Sequence, residues 1–373
     1  MTSLPASSKL PIEHLATAFS NVTNSYKFCW FLSILEYITE HQIPIMPLNI
    51  LLAKMIASVW YPINYFRLSF GKQDRLSQIA LRIKTEHDLA IDAKKSQLVR
   101  SVVAYINTNS ILAKDIVSLG RFVPYRFLRP FFASELRGTP DWKGDDLIVG
   151  LAEETFYDKS KLGLYHFIKH PEDGIEVQQD WFEYLQKHTY ILTGFCLWHL
   201  LNYLQKNNPN VPNIANKLFE PEQRDLRQAR AFWDIAFDQL GYIRCIYSDQ
   251  VMQKRHFSLD HFLPWRFVTH DLLWNIIPVP LHVNSSKSDS LPNIDLYFNS
   301  FIQLQYKAMQ VVANSPKKKL LEDYTLLFKQ DAVAEIQAAS FKQFRQILQE
   351  TIVPQIHIAK NMGFTANWTY PKA

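Results

Sequence analysis

The residues best suited to catalysis lie in one segment of this sequence, which begins with an Asp-His pair at positions 260 and 261. Asn275 follows the histidine after fourteen residues, Asn284 follows after nine more, and Lys287 lies three residues further on. Carboxylate and amide oxygens are ligands that Mg²⁺ and Mn²⁺ accept, and a histidine side chain can take up a proton near neutral pH. These groups suit a metal-assisted hydrolysis such as that of a phosphodiester, which needs a deprotonated water and positive charge on the phosphate.

In this order, these residues resemble the HNH, or ββα-metal, endonuclease family over about residues 245 to 300. The third family position, often a histidine, is Asn284 here, as in the HNH domain of RNA-guided CRISPR effector nucleases. The resemblance implies that Asp260 and Asn284 hold Mg²⁺ or Mn²⁺ and that His261 is the general base. It also implies that Asn275 holds the region of the histidine in place and that Lys287 contacts a phosphate oxygen.

Structural roles are the alternatives for these residues and their neighbours. Asp260 could cap a turn, and His261 could satisfy a hydrogen bond in the core. Asp271 is predicted to cap the turn that presents Trp274. Solvated loop positions are predicted for the three nearby histidines, which are His256, His270 and His282.

The cysteines distinguish this segment from family members that carry a structural zinc. Those members use two Cys-x-x-Cys pairs, but the first place is Cys245-Ile-Tyr-Ser248 here and the second is Pro280-Leu-His-Val283. Because a single thiolate cannot make a four-ligand zinc site, we expect no structural zinc. Aromatic side chains are expected to support the loop instead, and these are Tyr247, Phe262, Trp265, Phe267 and Trp274.

The surrounding pattern is mainly helical. Apolar residues at helical spacing predict helices between Asn24 and about Phe132, and then near 181–205, 221–240, 297–311, 320–329 and 332–350. Short strands are predicted at 242–247 and 256–259, and Pro140 with the segment 141–146 predicts a loop. The predicted fold is mainly α with a small α+β insert. It comprises a helical recognition or partner-binding region at 1–240, a ββα-metal nuclease module at 241–315, and C-terminal helices at 316–373 that pack on the core.

Two basic segments are candidates for binding nucleic acid. Residues 120–132 interleave Arg121, Arg126 and Arg129 with five aromatic residues, which could grip phosphates and stack bases. The alternative is a buried aromatic linker whose arginines extend into solvent. The run Lys317, Lys318 and Lys319 could follow a nucleic-acid backbone or lie on a solvated loop.

Composition excludes several classes of protein. The chain has 373 residues, 47% of them hydrophobic and 14% aromatic, which excludes disordered, collagen-like and coiled-coil proteins. Three scattered cysteines fit a reducing cytoplasm. The most apolar stretch, Tyr190 to Leu204, is short for a membrane span, so we expect a buried core helix and no membrane partner.

We therefore expect a metal-dependent endonuclease that cleaves double-stranded DNA. One active site per chain would nick, and a double-strand break would need a homo-oligomer or two events. The family's association with restriction and anti-phage defence implies a bacterial defence effector. Because the sequence has no Walker-type phosphate loop, any ATP-driven step would need a separate sensor or ATPase. The alternatives are a non-catalytic nucleic-acid-binding or scaffold protein with a degenerate HNH fold, and an RNase.

Overall fold

The computed structural model describes residues 4–20, 22–108, 110–158, 162–169, 173–221, 224–329 and 333–371 of the chain. The described residues form two compact units. The first takes in the residues up to Pro209 together with Ile214–Pro221, and the second takes in Asn210–Asn213 and the residues from Arg224 onward. Helices dominate both units, so the predicted class, mainly α with small β elements, is confirmed. The finer boundaries at 240 and 315 stay predictions.

Helices around a small antiparallel sheet make up the first unit. The helices are α1 (Ile12–Thr17), α2 (Tyr26–His41), α3 (Leu48–Trp60), α4 (Arg75–His87), α5 (Lys95–Ile106), α6 (Ile111–Leu119), α7 (Val123–Leu128), α8 (Asp141–Tyr157) and α9 (Gln179–Asn207). A π-helical turn at Tyr61–Tyr65 continues α3, and 3₁₀ turns lie at Arg129–Phe132 and Ile214–Lys217. The strands β1 (Ile45–Pro47), β2 (Tyr165–Ile168) and β3 (Gly174–Val177) pair in the order β1-β3-β2.

Large aromatic side chains fill the core of the first unit. The apolar face of α2 packs against α3 and α9, as its periodicity predicts. Trp30 of α2 is fully buried, and its Nε1 donates a hydrogen bond of 3.1 Å to the hydroxyl of Tyr165 in β2. That hydroxyl donates in turn to the carbonyl of Pro124 at the start of α7. A chain of buried polar contacts therefore connects two helices to the sheet.

The loop predicted at 141–146 is wrong, because α8 begins at Asp141. Pro140 precedes the first helical residue with an extended backbone, which suits the position before a helix. The helix-favouring start of this segment outweighs its content of glycine and aspartate.

The apolar stretch in α9 is helical but not buried all round. Leu192, Cys196 and Leu200 face the core, whereas Tyr190 is 93% exposed and Trp198 is 55% exposed. The prediction of a fully buried helix is therefore wrong for one face of α9. None of the helices in the described part of the chain has the length and apolarity to cross a bilayer.

The second unit combines helices with two short hairpin sheets. Its helices are α10 (Arg227–Leu240), α11 (Trp265–Val268), α12 (Leu281–Lys287), α13 (Ile294–Ala313), α14 (Glu322–Phe328), α15 (Val333–Ala338) and α16 (Phe341–Asn361). Two 3₁₀ turns lie at Leu273–Asn275 and Lys318–Leu321. The strands β4 (Ile243–Arg244) and β5 (Val251–Met252) pair with each other, and β6 (Ser258–His261) pairs antiparallel with β7 (Ile276–Val279).

Buried polar side chains fix the start of β7. Gln305 of α13 is fully buried, and its Nε2 donates to the carbonyls of Leu273 and Ile276 at 3.1 and 2.8 Å. Its Oε1 accepts from the Tyr324 hydroxyl at 2.6 Å. The indole of Trp233 in α10 donates to the same Ile276 carbonyl at 3.1 Å. Two helices thereby hold the residue at which the second strand of the hairpin begins, and Tyr324 of α14 orients Gln305.

Replacing Gln305 with leucine tests this arrangement. Gln305→Leu leaves the Leu273 carbonyl and the Tyr324 hydroxyl buried without these partners, which should cost about 2–4 kcal/mol of unfolding free energy. Amide hydrogen exchange of peptides covering β6 and β7 should accelerate accordingly. Gln346→Leu, on the exposed face of α16, is the matched control and should change exchange little. Equal protection in the two variants would contradict this account.

Candidate active site

Strand β6 carries Asp260 and His261 at its end. The strand pairs with β7 in a register that places His261 opposite Ile276 and Ser258 opposite Val279. Because successive side chains on a strand point to opposite faces, Asp260 and Ser258 share one face while His261 occupies the other. Helix α12 follows β7 directly, after Pro280, and contacts β6. The candidate residues therefore lie on β6, on the 3₁₀ turn before β7 and on α12.

Asp260 is held by two donors in a buried setting. Its Oδ1 accepts from Lys287 Nζ at 3.0 Å, and its Oδ2 accepts from the Tyr247 hydroxyl at 3.1 Å. Only 3% of Asp260 is exposed, and Lys287 is fully buried. The burial of Tyr247, and next the charge of Asp260, raise the pKa of Tyr247 well above its usual range, so this hydroxyl stays protonated and donates. Each buried charge is thus compensated.

Lys287 also contacts the backbone of the histidine. Its Nζ donates to the carbonyl of His261 at 2.7 Å, in addition to the bond with Asp260. One ammonium group therefore joins the C-terminal end of α12 to two consecutive residues of β6. This contact fixes the helix along the strand.

Asn284 lies one turn before Lys287 on the same face of α12, as its spacing predicts. Its Nδ2 donates to Ser258 Oγ at 2.7 Å and to the carbonyl of Leu259 at 3.3 Å. These bonds orient the amide so that Oδ1 has no hydrogen-bond donor among the residues that the structure describes. Asn284 is half-buried, and its Oδ1 is therefore available to a ligand on the strand face that also carries Asp260.

His261 forms a pair with Asp271. Its Nε2 lies 2.7 Å from Asp271 Oδ1, and only 4% of the histidine is exposed. Since a carboxylate accepts hydrogen bonds, this geometry assigns the proton of a neutral ring to Nε2 and leaves Nδ1 as the basic nitrogen. The prediction that Asp271 caps a turn is therefore corrected. The sequence does show a carboxylate in the loop between β6 and β7. When the hairpin folds, this loop brings Asp271 close to the end of β6.

Asn275 ties the loop after His261 to the start of β7. Its fully buried side chain accepts from the amide of Leu263 at 2.8 Å and donates to the carbonyl of Leu263 at 3.0 Å. Its own carbonyl accepts from the amide of Phe262 at 2.8 Å. These three bonds fix the backbone immediately after the Asp-His pair.

Aromatic packing supports Tyr247 from two directions. Its ring centroid lies 5.0 Å from that of Tyr297 and 5.2 Å from that of Trp368. Trp368 lies in a C-terminal segment whose backbone forms hydrogen bonds with the backbone of Leu291 and Asn293, just after α12. The role of Trp368 has no signal in the sequence, because no local pattern relates it to a residue more than a hundred positions earlier. Cys245, near Tyr247, is a buried free thiol, and the absence of a structural zinc stays a prediction.

The donor set can be tested against the implied metal. In the part of the chain that the structure describes, no group of three or more His, Cys, Asp or Glu side chains is placed to hold a metal ion. Asp260 and the free Oδ1 of Asn284 nevertheless supply two hard oxygen ligands, and each Asp260 oxygen keeps a second lone pair. Mg²⁺ commonly takes only one or two protein carboxylates and completes its shell with water and phosphate oxygens. The residues fit a cation of this kind.

The predicted nucleic-acid-binding residues lie outside this group. Lys317, Lys318 and Lys319 are exposed around the 3₁₀ turn before α14. Arg121, Arg126 and Arg129 belong to the first unit, where Arg121 is exposed. His282 is exposed on α12, with its ring 6.0 Å from that of Tyr370.

Comparison with known proteins gives one match. Residues 245–293 match the HNH endonuclease family, and this range contains β5, β6, β7 and α12 with all five candidate residues. No curated protein and no solved structure matches the chain. HNH nucleases in general depend on a metal ion and act on nucleic acid. The sequence match and the strand–strand–helix arrangement agree, and the chain therefore contains an HNH endonuclease-family module at residues 245–293.

Proposed function

We propose that this protein is a metal-dependent endonuclease that hydrolyses phosphodiester bonds in DNA and cuts one strand per active site. The observation that supports the proposal is the convergence of Asp260, His261, Asn275, Asn284 and Lys287 on one hairpin and one helix inside the matched module. A carboxylate, a base and an available amide oxygen are the groups that this reaction needs.

In this mechanism, Asp260 and Asn284 would hold Mg²⁺ or Mn²⁺, and the bound ion would supply positive charge to the phosphate and to the leaving oxygen. Nδ1 of His261 accepts the proton of the attacking water. Asp271 acts as a positioning residue, because its bond to Nε2 holds the ring and stabilises the positive charge that the ring acquires. Asn275 keeps the loop beside the histidine in place.

Lys287 supports the site by holding Asp260. Its bonds to Asp260 and to the His261 carbonyl favour a positioning role, and a direct contact with a phosphate oxygen stays a prediction. The almost complete burial of this pair places it where electrostatic interactions are stronger than in water.

The wider role is proposed on the family's association alone. It comprises restriction or anti-phage defence in a bacterial cytoplasm, with a separate sensor or ATPase. A homo-oligomer would bring two active sites together, and each site would cut one strand of the same DNA duplex.

The first test is cleavage of supercoiled plasmid in Mg²⁺ or Mn²⁺. The wild-type protein should produce nicked circles, and His261→Ala and Asn284→Ala should each lower the rate by about a hundred-fold or more, because one loses the base and the other a metal ligand. His282→Ala, on the exposed face of α12, is the control and should cleave normally.

Nicking that survives both substitutions would contradict the assignment of the site. Cleavage of RNA without cleavage of DNA would favour the RNase alternative. DNA binding without turnover in any divalent metal would favour a non-catalytic scaffold.

A second test addresses Asp271. Asp271→Asn should lower the turnover by about a hundred-fold with little change in DNA affinity, because an amide nitrogen can donate to Nε2 and force the ring proton onto Nδ1. Asp271→Glu should recover part of the activity. ¹⁵N NMR of the His261 ring should report the change of tautomer in Asp271→Asn. An unchanged tautomer and unchanged turnover would exclude the positioning role, and Asp249→Asn at an exposed carboxylate is the control.

A third test separates folding from chemistry at the ion pair. Lys287→Met leaves Asp260 buried without its cationic partner, which should lower the unfolding free energy of the second unit by about 3–5 kcal/mol. Adding Asp260→Asn should restore part of that loss without restoring cleavage. Denaturation of the full chain, followed by hydrogen exchange in the second unit, measures both effects. Lys307→Met, at an exposed position of α13, is the control.

If the double variant is no more stable than Lys287→Met alone, the pair does not carry the stability assigned to it.

A further inference from the structure

A cleft of about 470 Å³ in the first unit is lined by basic side chains from separate elements. Lys27 comes from α2, Arg75 from the start of α4, Arg126 from α7, and Arg129 from the 3₁₀ turn that follows α7. No carboxylate lies among the described residues that line the cleft. The fold therefore brings together positive charges that are more than a hundred residues apart in the sequence.

The acidic partners of Arg75 and Arg126 lie outside the lining of the cleft. Asp115 contacts Arg75 at 3.4 Å, but it also forms a shorter ion pair with Arg82. Asp145 lies 3.5 Å from Arg126 Nε, a contact too long for a strong hydrogen bond. Asp115 is thus shared between two arginines, and Asp145 contacts Arg126 only at long range.

Lys27 is the clearest uncompensated group. It is half-buried, and within the described ranges no acceptor lies within hydrogen-bond distance of its ammonium group. Burial, and next the positive charge of Arg129, lower the pKa of Lys27 below its ordinary value. An anion bound in the cleft would relieve both effects, because it would supply the missing negative partner.

Arg126 is held in an orientation that suits an anion in the cleft. Its guanidinium lies 4.9 Å from the centroid of the Phe122 ring, which restricts the side chain to one orientation. Its buried Nε has no hydrogen-bond acceptor in the described part of the chain. The Nη groups of a guanidinium can bind two phosphate oxygens at once.

An aromatic surface lies beside the basic groups. Phe122 is 45% exposed and lines the cleft together with Tyr26. The hydroxyl of Tyr26 accepts from the backbone amide of Arg75 at 2.6 Å and so fixes the start of α4 at the edge of the cleft. An exposed ring next to phosphate-binding cations suits a ligand that carries both a base and a phosphate.

We propose that this cleft binds a nucleoside phosphate, with Lys27, Arg75, Arg126 and Arg129 around the phosphate and Phe122 against the base. The volume falls within the range of about 300–1,000 Å³ that small-molecule sites occupy. The shared chemistry is that of a nucleotide, whether free in solution or part of a nucleic-acid strand. The cleft lies in the first unit, outside the matched nuclease module, so its occupancy is measured without cleavage.

The experiment measures binding to the full-length protein in EDTA at fixed ionic strength. The probes are inorganic phosphate, adenosine monophosphate and a single-stranded thymidine oligonucleotide. Lys27→Met removes the uncompensated charge while keeping an apolar side chain of similar length, so the fold should be retained. It should weaken binding of the favoured probe by about ten-fold or more, as expected for one lost charge-assisted contact. Lys114→Met, at an exposed position of α6, is the matched control and should leave the affinity unchanged.

Arg126→Glu provides a second variant and should abolish the binding. Tight binding of the monophosphate that depends on Lys27 supports the proposal with a free nucleotide as ligand. Binding of the oligonucleotide alone, with the same dependence, supports it with a strand as ligand. The proposal is overturned if no probe binds, or if Lys27→Met and Lys114→Met have equal affinities.

Discussion

The buried ammonium of Lys287 is the contact on which the geometry of the nuclease module depends. It bonds to the carboxylate of Asp260 and to the carbonyl of His261, and neither charged side chain is open to water. Removing one partner would leave a bare charge in the interior, so the two must be present together. Because Lys287 and Asn284 are one helical turn apart, fixing the lysine also fixes the amide beside the same strand face.

The hairpin that carries Asp260 and His261 is held by partners distant in the sequence. Trp233 and Gln305 bond to the Ile276 carbonyl from two helices, and Asn275 bonds to the backbone of Leu263 from within the loop. Trp368 packs on Tyr247, which donates to Asp260. Aromatic packing and hydrogen bonds from side-chain amides to the backbone thereby hold the hairpin in place in the second unit.

The sequence allowed the prediction of features that depend only on neighbouring residues in the chain. Spacing placed Asn284 and Lys287 on one face of a helix, alternation placed Asp260 and His261 on opposite faces of a strand, and apolar periodicity predicted most helices. The family match covers the same segment. The roles of these residues stay proposals, because a position in a fold does not establish a chemical step.

Features that depend on tertiary contacts could not be predicted. Asp271 reaches His261 only after the hairpin has folded, and Trp368 reaches Tyr247 from the C-terminal segment. Lys27 and Arg75 join Arg126 and Arg129 from helices that sequence spacing does not relate. The exposed face of α9 was missed because an apolar run does not reveal which of its sides packs.

The most direct test of the account is a crystal structure of His261→Ala with Mn²⁺ and a DNA oligonucleotide, analysed by anomalous scattering. The account predicts an anomalous peak bound by the oxygens of Asp260 and Asn284 and by a phosphate oxygen of the DNA. Manganese bound elsewhere, or DNA bound with no ion at Asp260, would contradict the assignment of this cluster as the metal site of a nuclease.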